Sequence, residues 1–536
     1  MANYARHLTA TPQSRPLPGQ VPNSGGGFAF QISCWDRLDR FLILGCEGGS
    51  YYAGERKLTI ENAQCILECA KADPGRTVGR IAEISTSGRA PKNDPAIFAL
   101  AFLAAQPGIV SGYALDIGLP KVCRTGTHLF QFVEIVTQLR GWGRALRRGV
   151  ANWYTSKDDE KLAMQVTKYA QRNGWSHRDL LRLAHPVGKN PGQRDVFQYI
   201  AQRDKWLNSK KAGTRTLVMV EEAKTASLTR LKRLINDEGL VREHIPTERL
   251  NEPTIWEALL ENMPITALMR NLNKLTSTGV VAPLSAGTRR AVELLTDKEL
   301  LKRGRVHPYN LLVALKTYQQ GHGTLGNLRW TPVPQITAAL EDAFYLAFET
   351  IQPTGKNHLF AIDVSGSMSW SAIGNSPIKC STAAAVLAMV GLRAEPNSYA
   401  FGFADRFRDL GINKYDRLDA VERKVQASTF GSTDCAKAYN YALMHKMDVD
   451  AFVILTDNET NTGHIHPTQA LRNYRKAMGK PEARAIVVGM TATEFSVAEP
   501  SDPFQLDVVG FDSAAPAIIA DFVRGFSVRG DEAQDD

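Results

Sequence analysis

From about residue 58 to 350, apolar positions recur at helical spacing in segments of about ten to twenty residues, separated by Gly, Pro and polar punctuation. Segments at 59–72, 94–105, 158–172, 176–185, 254–262, 266–275 and 334–348 read as helices. Pro95 and Pro334 sit where the first turn of a helix tolerates a proline, and Ser176 and Thr254 are candidate N-caps. Short connections predict antiparallel hairpins. About fifteen helices with no strand-like interval predict a stacked repeat array rather than one bundle. No repeat period is visible in the letters themselves.

Near residue 356 the pattern changes to apolar runs of strand length at 358–364, 398–403, 451–456, 485–489 and 506–510. They alternate with helical segments at 381–393, 416–427, 434–447, 467–478 and 516–525. This alternation predicts an α/β doubly wound parallel sheet covered on both faces, which binds ligands beyond the carboxyl ends of its strands. Residues 1–28, rich in Pro, Gly, Ser and Gln, cannot bury enough surface to offset chain entropy and predict a flexible arm. The expected organisation is an arm at 1–28, a helical domain at 29–355 and the sheet domain at 356–536.

Composition supports a folded chain: 43% of the 536 residues are hydrophobic and 22% charged, which excludes a mainly disordered or collagenous protein. The seven cysteines form no CxxC pair and argue for a reducing, cytoplasmic setting. Cys65 and Cys69, one helical turn apart on an apolar face, read as small buried hydrophobes. The N-terminus has no apolar signal core. The longest uncharged apolar run, 96–105, is about half a membrane span, so no membrane partner is expected.

The strand ending at Asp363 runs into Asp363-Val-Ser365-Gly-Ser367, with Gly366 expected to permit a tight turn. A second strand ends in Asp457-Asn-Glu459, and Gly431-Ser-Thr433 precedes the helix expected from 434. A doubly wound sheet gathers such loops at one edge. Oxygen ligands from Asp363, Ser365, Ser367, Thr433 and Asp457 suit Mg²⁺, with Ca²⁺ or Mn²⁺ as alternatives, rather than zinc. Three neutral hydroxyls and two carboxylates shield a divalent ion incompletely, leaving it able to accept an external carboxylate or phosphate oxygen. This constellation resembles the metal-ion-dependent adhesion site of von Willebrand factor A domains, over residues 356–536. The resemblance implies that Ser365, Ser367 and Thr433 bind the ion directly, and Asp363 and Asp457 directly or through water. It also implies an acidic protein ligand there.

The net charge of +9 is unevenly divided. Residues 1–350 carry 46 Lys and Arg against 32 Asp and Glu, a balance of +14, and residues 351–536 carry 18 against 23, a balance of −5. Residues 121–190 hold 13 basic and 5 acidic side chains, with Trp142, Trp153, Tyr154, Tyr169 and Trp175 among them. Cations track phosphates and rings stack on bases, so this mixture suits single-stranded nucleic acid. Lys161, Lys168 and Arg172 are expected near one helical face. Arg147, Arg148, His177 and Arg178 join the candidate surface by charge and spacing.

The phrases FLILGCEGGSYY, THLFQFVE, WGRALRRGVANWY, VTKYAQRNGWSHRDLLRLAHP, MPITALMRNLNKLT and VHPYNLLVALKTYQQGHG resemble the TROVE domain. Followed by DVSGSM and LTDNET, they make the chain similar to the Ro autoantigen family, in its bacterial branch. That resemblance implies a HEAT-like helical ring, monomeric, whose two ends meet the A domain. It implies binding of the single-stranded 3′ ends of misfolded or precursor noncoding RNAs in a basic cavity, and of small Y-like RNAs outside it. It places the family's RNA-contacting lysine, arginine and histidine on Lys168, Arg172 and His185. Exoribonucleases are implied as partners in RNA quality control, maturation, decay and stress response.

No GxxxxGK[ST], HExxH or GxSxG motif occurs, and Gly45–Gly49 and Gly321–Gly323 read as turns. His464 and His466 read as a peripheral pair. The expected protein is non-catalytic. The rival readings are a metal-dependent ribonuclease, against which the hydroxyl-rich ion site speaks, and a protein-only adhesion or chaperone module.

Overall fold

The computed structural model describes residues 12–45, 55–209, 213–323, 327–348, 353–370, 378–428, 431–491, 493–511 and 515–525. Residues 1–11 of the expected arm, and residues 46–49 of the Gly45–Gly49 cluster, lie outside them.

Helices run from Cys34–Leu44 to Pro334–Leu346, many of them packing on the next. The helix Asp94–Ala105 is buried on nearly every side, which accounts for its uninterrupted apolar run. Cys65 and Cys69 lie buried in the same core. The array closes on itself. Arg305 donates to the Thr86 carbonyl at 2.6 Å, His307 Nε2 meets the Arg89 carbonyl at 3.1 Å, and Asn310 donates to the Pro91 carbonyl at 3.3 Å. Residues more than 200 positions apart thus seal a circle, as expected from the resemblance.

The helical expectation needs three local corrections. The helix expected over 158–172 ends at Lys168, and residues beyond it form a two-stranded hairpin. Thr254 is not the N-cap of its helix. Pro253 already occupies the first turn, because a proline needs no helical N–H partner there, and Glu252 precedes it. The segment 12–31 is no free arm: it contains strands β1 (Gln20–Pro22) and β2 (Phe28–Gln31), and its polar side chains find partners on the C-terminal domain. Composition indicates what a segment can bury by itself. It does not show that a polar segment can bond to another domain.

After the hairpin strands β3 (Gln171–Arg172) and β4 (Trp175–Ser176), the remaining strands belong to the C-terminal domain. They are β5 (His358–Asp363), β6 (Ser398–Phe403), β7 (Phe407–Asp409), β8 (Ala451–Thr456), β9 (Arg484–Gly489), β10 (Phe495–Ser496) and β11 (Gln505–Val509). The main sheet has the order β11-β9-β8-β5-β6-β7, parallel except for the edge pair β6/β7. Strands β5 and β8 are buried at every position, as central parallel strands covered on both faces must be. The chain leaves β5 to one side for β6 and returns to its other side as β8, which makes a switch point at their carboxyl ends. β10 joins β2 and β1 in a small antiparallel sheet, so the N-terminal segment is hydrogen-bonded to the A-type domain.

The sheet domain clasps both ends of the circle. At the first end, Arg40 of Cys34–Leu44 is 1% exposed and donates from Nη2 to both carboxylate oxygens of Asp507 on β11, at 2.6 and 2.7 Å. At the other end, Lys316 pairs with Glu422 and Glu341 with Arg417, while Phe344 stacks on Phe511 at 6.2 Å. Replacing Arg40 by Ala leaves the Asp507 carboxylate without its cation in a largely desolvated place. The expected cost is about 3–5 kcal/mol, measured by urea unfolding; a loss under about 1 kcal/mol would refute this role.

Candidate functional site

Two places answer to the sequence expectations. The first lies on the helical array between residues 144 and 185. In the helix Arg144–Thr155, Leu146, Val150, Trp153 and Tyr154 are buried, which turns Arg144, Arg147 and Arg148 outward. The neighbouring helix His177–Ala184 begins at a capping box, Ser176 with Asp179, and likewise exposes Arg178 and Arg182. Arg147 Nε donates to the Ala184 carbonyl at 3.4 Å, which brings it beside exposed His185. His185 ends that helix in a left-handed conformation, φ 46°.

Arg172 is exposed on β3 opposite Trp175 of β4, and Asn173 and Gly174 make the turn with φ of 51° and 76°. Asn-Gly is the strongest short hairpin signal, because both central residues of a type I′ turn need positive φ. It was available in the letters and overrides the expected i,i+4 placement of Arg172 and Lys168 on one helical face. Trp175 stacks on Trp142 at 6.4 Å, both half-buried. Lys168 closes the helix Asp159–Lys168, half-buried, with its ammonium 5.5 Å from the Tyr169 ring.

Two expected residues fall differently. His177 is 3% exposed, and its Nδ1 is 2.7 Å from the Tyr154 hydroxyl, so it is a core residue beneath the basic surface. A Cβ on Gly126 would come within 3.0 Å of its ring, which explains the glycine there. Arg148 turns aside to pair with Asp116 at 3.2 Å.

Among the described residues Arg147, Arg172, Arg178 and His185 have no carboxylate partner, whereas farther along the array several arginines are paired. Arg203 is held by Glu221 at 2.5 Å, Arg230 by Glu222 at 2.6 Å and Arg290 by Glu293 at 3.1 Å. Four cationic positions of the candidate surface are therefore left without a counter-charge, while part of the charge farther along the array is neutralised.

The second place is the carboxyl edge of the sheet. Asp363, Ser365, Ser367, Thr433 and Asp457 are all buried there, on the loops after β5 and β8 and before the helix Lys437–Met444. Asp363 accepts from Ser365 N at 2.9 Å and from the Thr456 hydroxyl at 2.6 Å. The Ser365 and Ser367 hydroxyls are 3.0 Å apart, and Ser367 hydrogen-bonds Asp457. Gly366 opens the helix Gly366–Trp370, and a Cβ on it would meet nothing within 4 Å, so the turn does not demand glycine. Burial, and then the neighbouring Asp457, push the Asp363 carboxyl up to about 7; burial also raises Asp457. Neither carboxylate has a basic partner among the described residues. Two buried acids lined by hydroxyls form a donor set that fits a hard divalent cation. Among the described residues no group of three or more His, Cys, Asp and Glu side chains is placed to hold a metal, so ion binding at this edge would have to use the hydroxyls.

A closed helical array joined to an A-type sheet with a hydroxyl-rich edge defines a class of two-domain protein. Residues 21–237 and 225–317 match the TROVE domain model, and residues 357–523 match the Ro60 vWA domain model. The chain belongs to the Ro family. It is 41% identical to the RNA-binding protein RO60 of Deinococcus radiodurans, over 94% of this chain and 96% of that one. It is 37% identical to the protein of the same name from Caenorhabditis elegans, over 95% and 90%. The crystal structure of the Deinococcus radiodurans Ro (RSR) protein superposes with a TM-score of 0.66 at 38% identity, covering 92% of this chain and all of that one.

Burial holds His177, together with His128, His244 and His307, down to about 4, below the ordinary value near 6.5. With folded values depressed, the unfolded chain takes up protons first as pH falls. The neutral imidazoles' contribution is present above about pH 6.5 and lost on the way to pH 4. Thermal midpoints measured across that window are expected to fall, and less steeply in His177→Gln; equal slopes would contradict the assignment of His177 as a neutral core residue.

Proposed function

We propose that this chain is a non-catalytic RNA-binding ring whose unpaired basic surface takes single-stranded RNA. The observation that carries this is the set of exposed Arg147, Arg172, Arg178 and His185, without carboxylate partners among the described residues, beside the Trp142–Trp175 stack. Phosphates supply the missing counter-charge and stacked rings accept bases without regard to sequence. The Ro-family relatives named as RNA-binding proteins support the same reading. In this reading the single-stranded ends of misfolded or precursor noncoding RNAs enter the ring, Y-like small RNAs lie on its outside, and exoribonucleases receive the RNA in the cytoplasm. Among the described residues no helix is long and apolar enough to cross a membrane.

We propose further that Asp363, Ser365, Ser367, Thr433 and Asp457 hold Mg²⁺, with Ca²⁺ or Mn²⁺ as alternatives. A bound cation supplies the charge that the two buried carboxylates lack, and leaves a place for an acidic ligand.

Lys168→Ala/Arg172→Ala is expected to weaken single-stranded RNA binding and to flatten its salt dependence by about 0.7 per lost phosphate contact. Gel shifts over a salt series measure both, and unchanged affinity and slope would overturn the surface assignment. Mg²⁺ is expected to raise the thermal midpoint of the wild type but not of Asp363→Asn. The shift should shrink below about pH 7, where Asp363 takes up a proton. Identical Mg²⁺ responses in both proteins would argue against the ion site.

A further inference from the structure

The segment 12–31 lies across the loops that carry the proposed ion ligands. Gln13 is fully buried; its amide donates to Asp434 Oδ1 at 2.6 Å and to the Ile465 carbonyl at 2.8 Å, and its Oε1 accepts the Thr460 hydroxyl at 2.6 Å. Asn23 donates to the Thr460 carbonyl at 2.7 Å, and the Gly25 N–H to Glu459 Oε2 at 2.7 Å. His466, expected at the periphery, is buried and its Nε2 meets the Arg15 carbonyl at 2.8 Å. A Cβ on Gly27 would run into the Thr460 carbonyl, and one on Gly463 into Gln13 and Asp434, so both glycines permit the close approach.

Two short routes lead from this segment to the ligands. Glu459, which accepts from Gly25, donates its own backbone N–H to Asp457 Oδ1 at 3.3 Å. Asn461 donates from its side chain to the Gly25 carbonyl at 3.3 Å, accepts from Thr433 N at 3.1 Å, and returns its backbone N–H to the Thr433 carbonyl at 3.0 Å. Thr433 and Asp457 come from loops on different parts of the chain. The N-terminal segment is bonded to the neighbours of both.

We propose that residues 12–31 are a positioning strap for the ion site, with Gln13 as its buried anchor. The strap holds the Thr433 and Asp457 loops at the separation a cation needs, so ion binding and strap docking favour each other. This rests on the ion reading above. Because β2 continues into the helix that carries Arg40, ion occupancy is thereby linked to the first end of the ring.

The test uses the intact chain with Mn²⁺ as the probe, read by electron paramagnetic resonance. Gln13→Ala is expected to weaken Mn²⁺ binding about tenfold, the loss that follows from leaving buried partners of a deleted amide unsatisfied. In the wild type, Mn²⁺ is expected to slow hydrogen exchange across residues 12–31, an effect that a merely structural segment would not show. Wild-type Mn²⁺ affinity in a folded Gln13→Ala chain, or strap exchange indifferent to Mn²⁺, overturns the proposal. Should Gln13→Ala fail to fold, Asn23→Ala and the wild-type exchange measurement decide the matter in the same way. Absence of Mn²⁺ binding by the wild type itself would overturn the ion reading, and the strap with it.

Discussion

One buried guanidinium organises this molecule. Arg40 gives its Nη1 to the Thr493 and Phe495 carbonyls and to the Thr493 hydroxyl, and its Nη2 to both oxygens of Asp507. Such a pair contributes little net stability over a well-packed apolar contact, because desolvating both charges costs about what their attraction returns. What it supplies is register. Any docking of the helix Cys34–Leu44 elsewhere leaves one charge buried alone, which is far worse. The C-terminal domain therefore meets the first end of the array in one way, and the charged and aromatic contacts at Lys316, Glu341 and Phe344 settle the other end.

Closure then decides how the basic charge is displayed. A helical array open at both ends could twist or extend. Sealed by Arg305, His307 and Asn310, and clasped by the sheet domain, it holds its helices at set positions. Neutral, buried His177 belongs to this scaffold: bonded to Tyr154 under the surface, it supports the helix that presents Arg178 and Arg182. Glutamates neutralise several arginines along the later helices, and among the described residues none does so at Arg147 and Arg172. A partner of opposite charge is thus drawn to this region of the array.

Much of this was legible in the letters. Strands β6 and β8 match their expected runs residue for residue; β8, a central parallel strand covered on both faces, is buried throughout, while β6 is buried from Ala400 to Phe403. The place of the proposed ion ligands was legible because strand ends and short loops put them at one edge whatever the side chains around them do. Antiparallel β7 and β10 were not, being two or three residues long with no alternation to read. Arg172 was misplaced because helical periodicity was carried up to it, whereas the hairpin that turns at Asn173-Gly174 already takes Arg172 into a strand.

The sequence by itself determined which elements form, where the charge lies and which side chains could hold a cation, because periodicity, composition and motif spacing are local. Only the tertiary structure decided that the ends of the array meet, that His177 lies inside while Arg172 lies outside, and that a polar N-terminal segment packs against the ion-site loops. The first and the last depend on partners hundreds of residues away, and His177 on Tyr154 and Phe130 of neighbouring helices. Gln13 looks like a solvated glutamine until Asp434, Thr460 and the Ile465 carbonyl are brought to it.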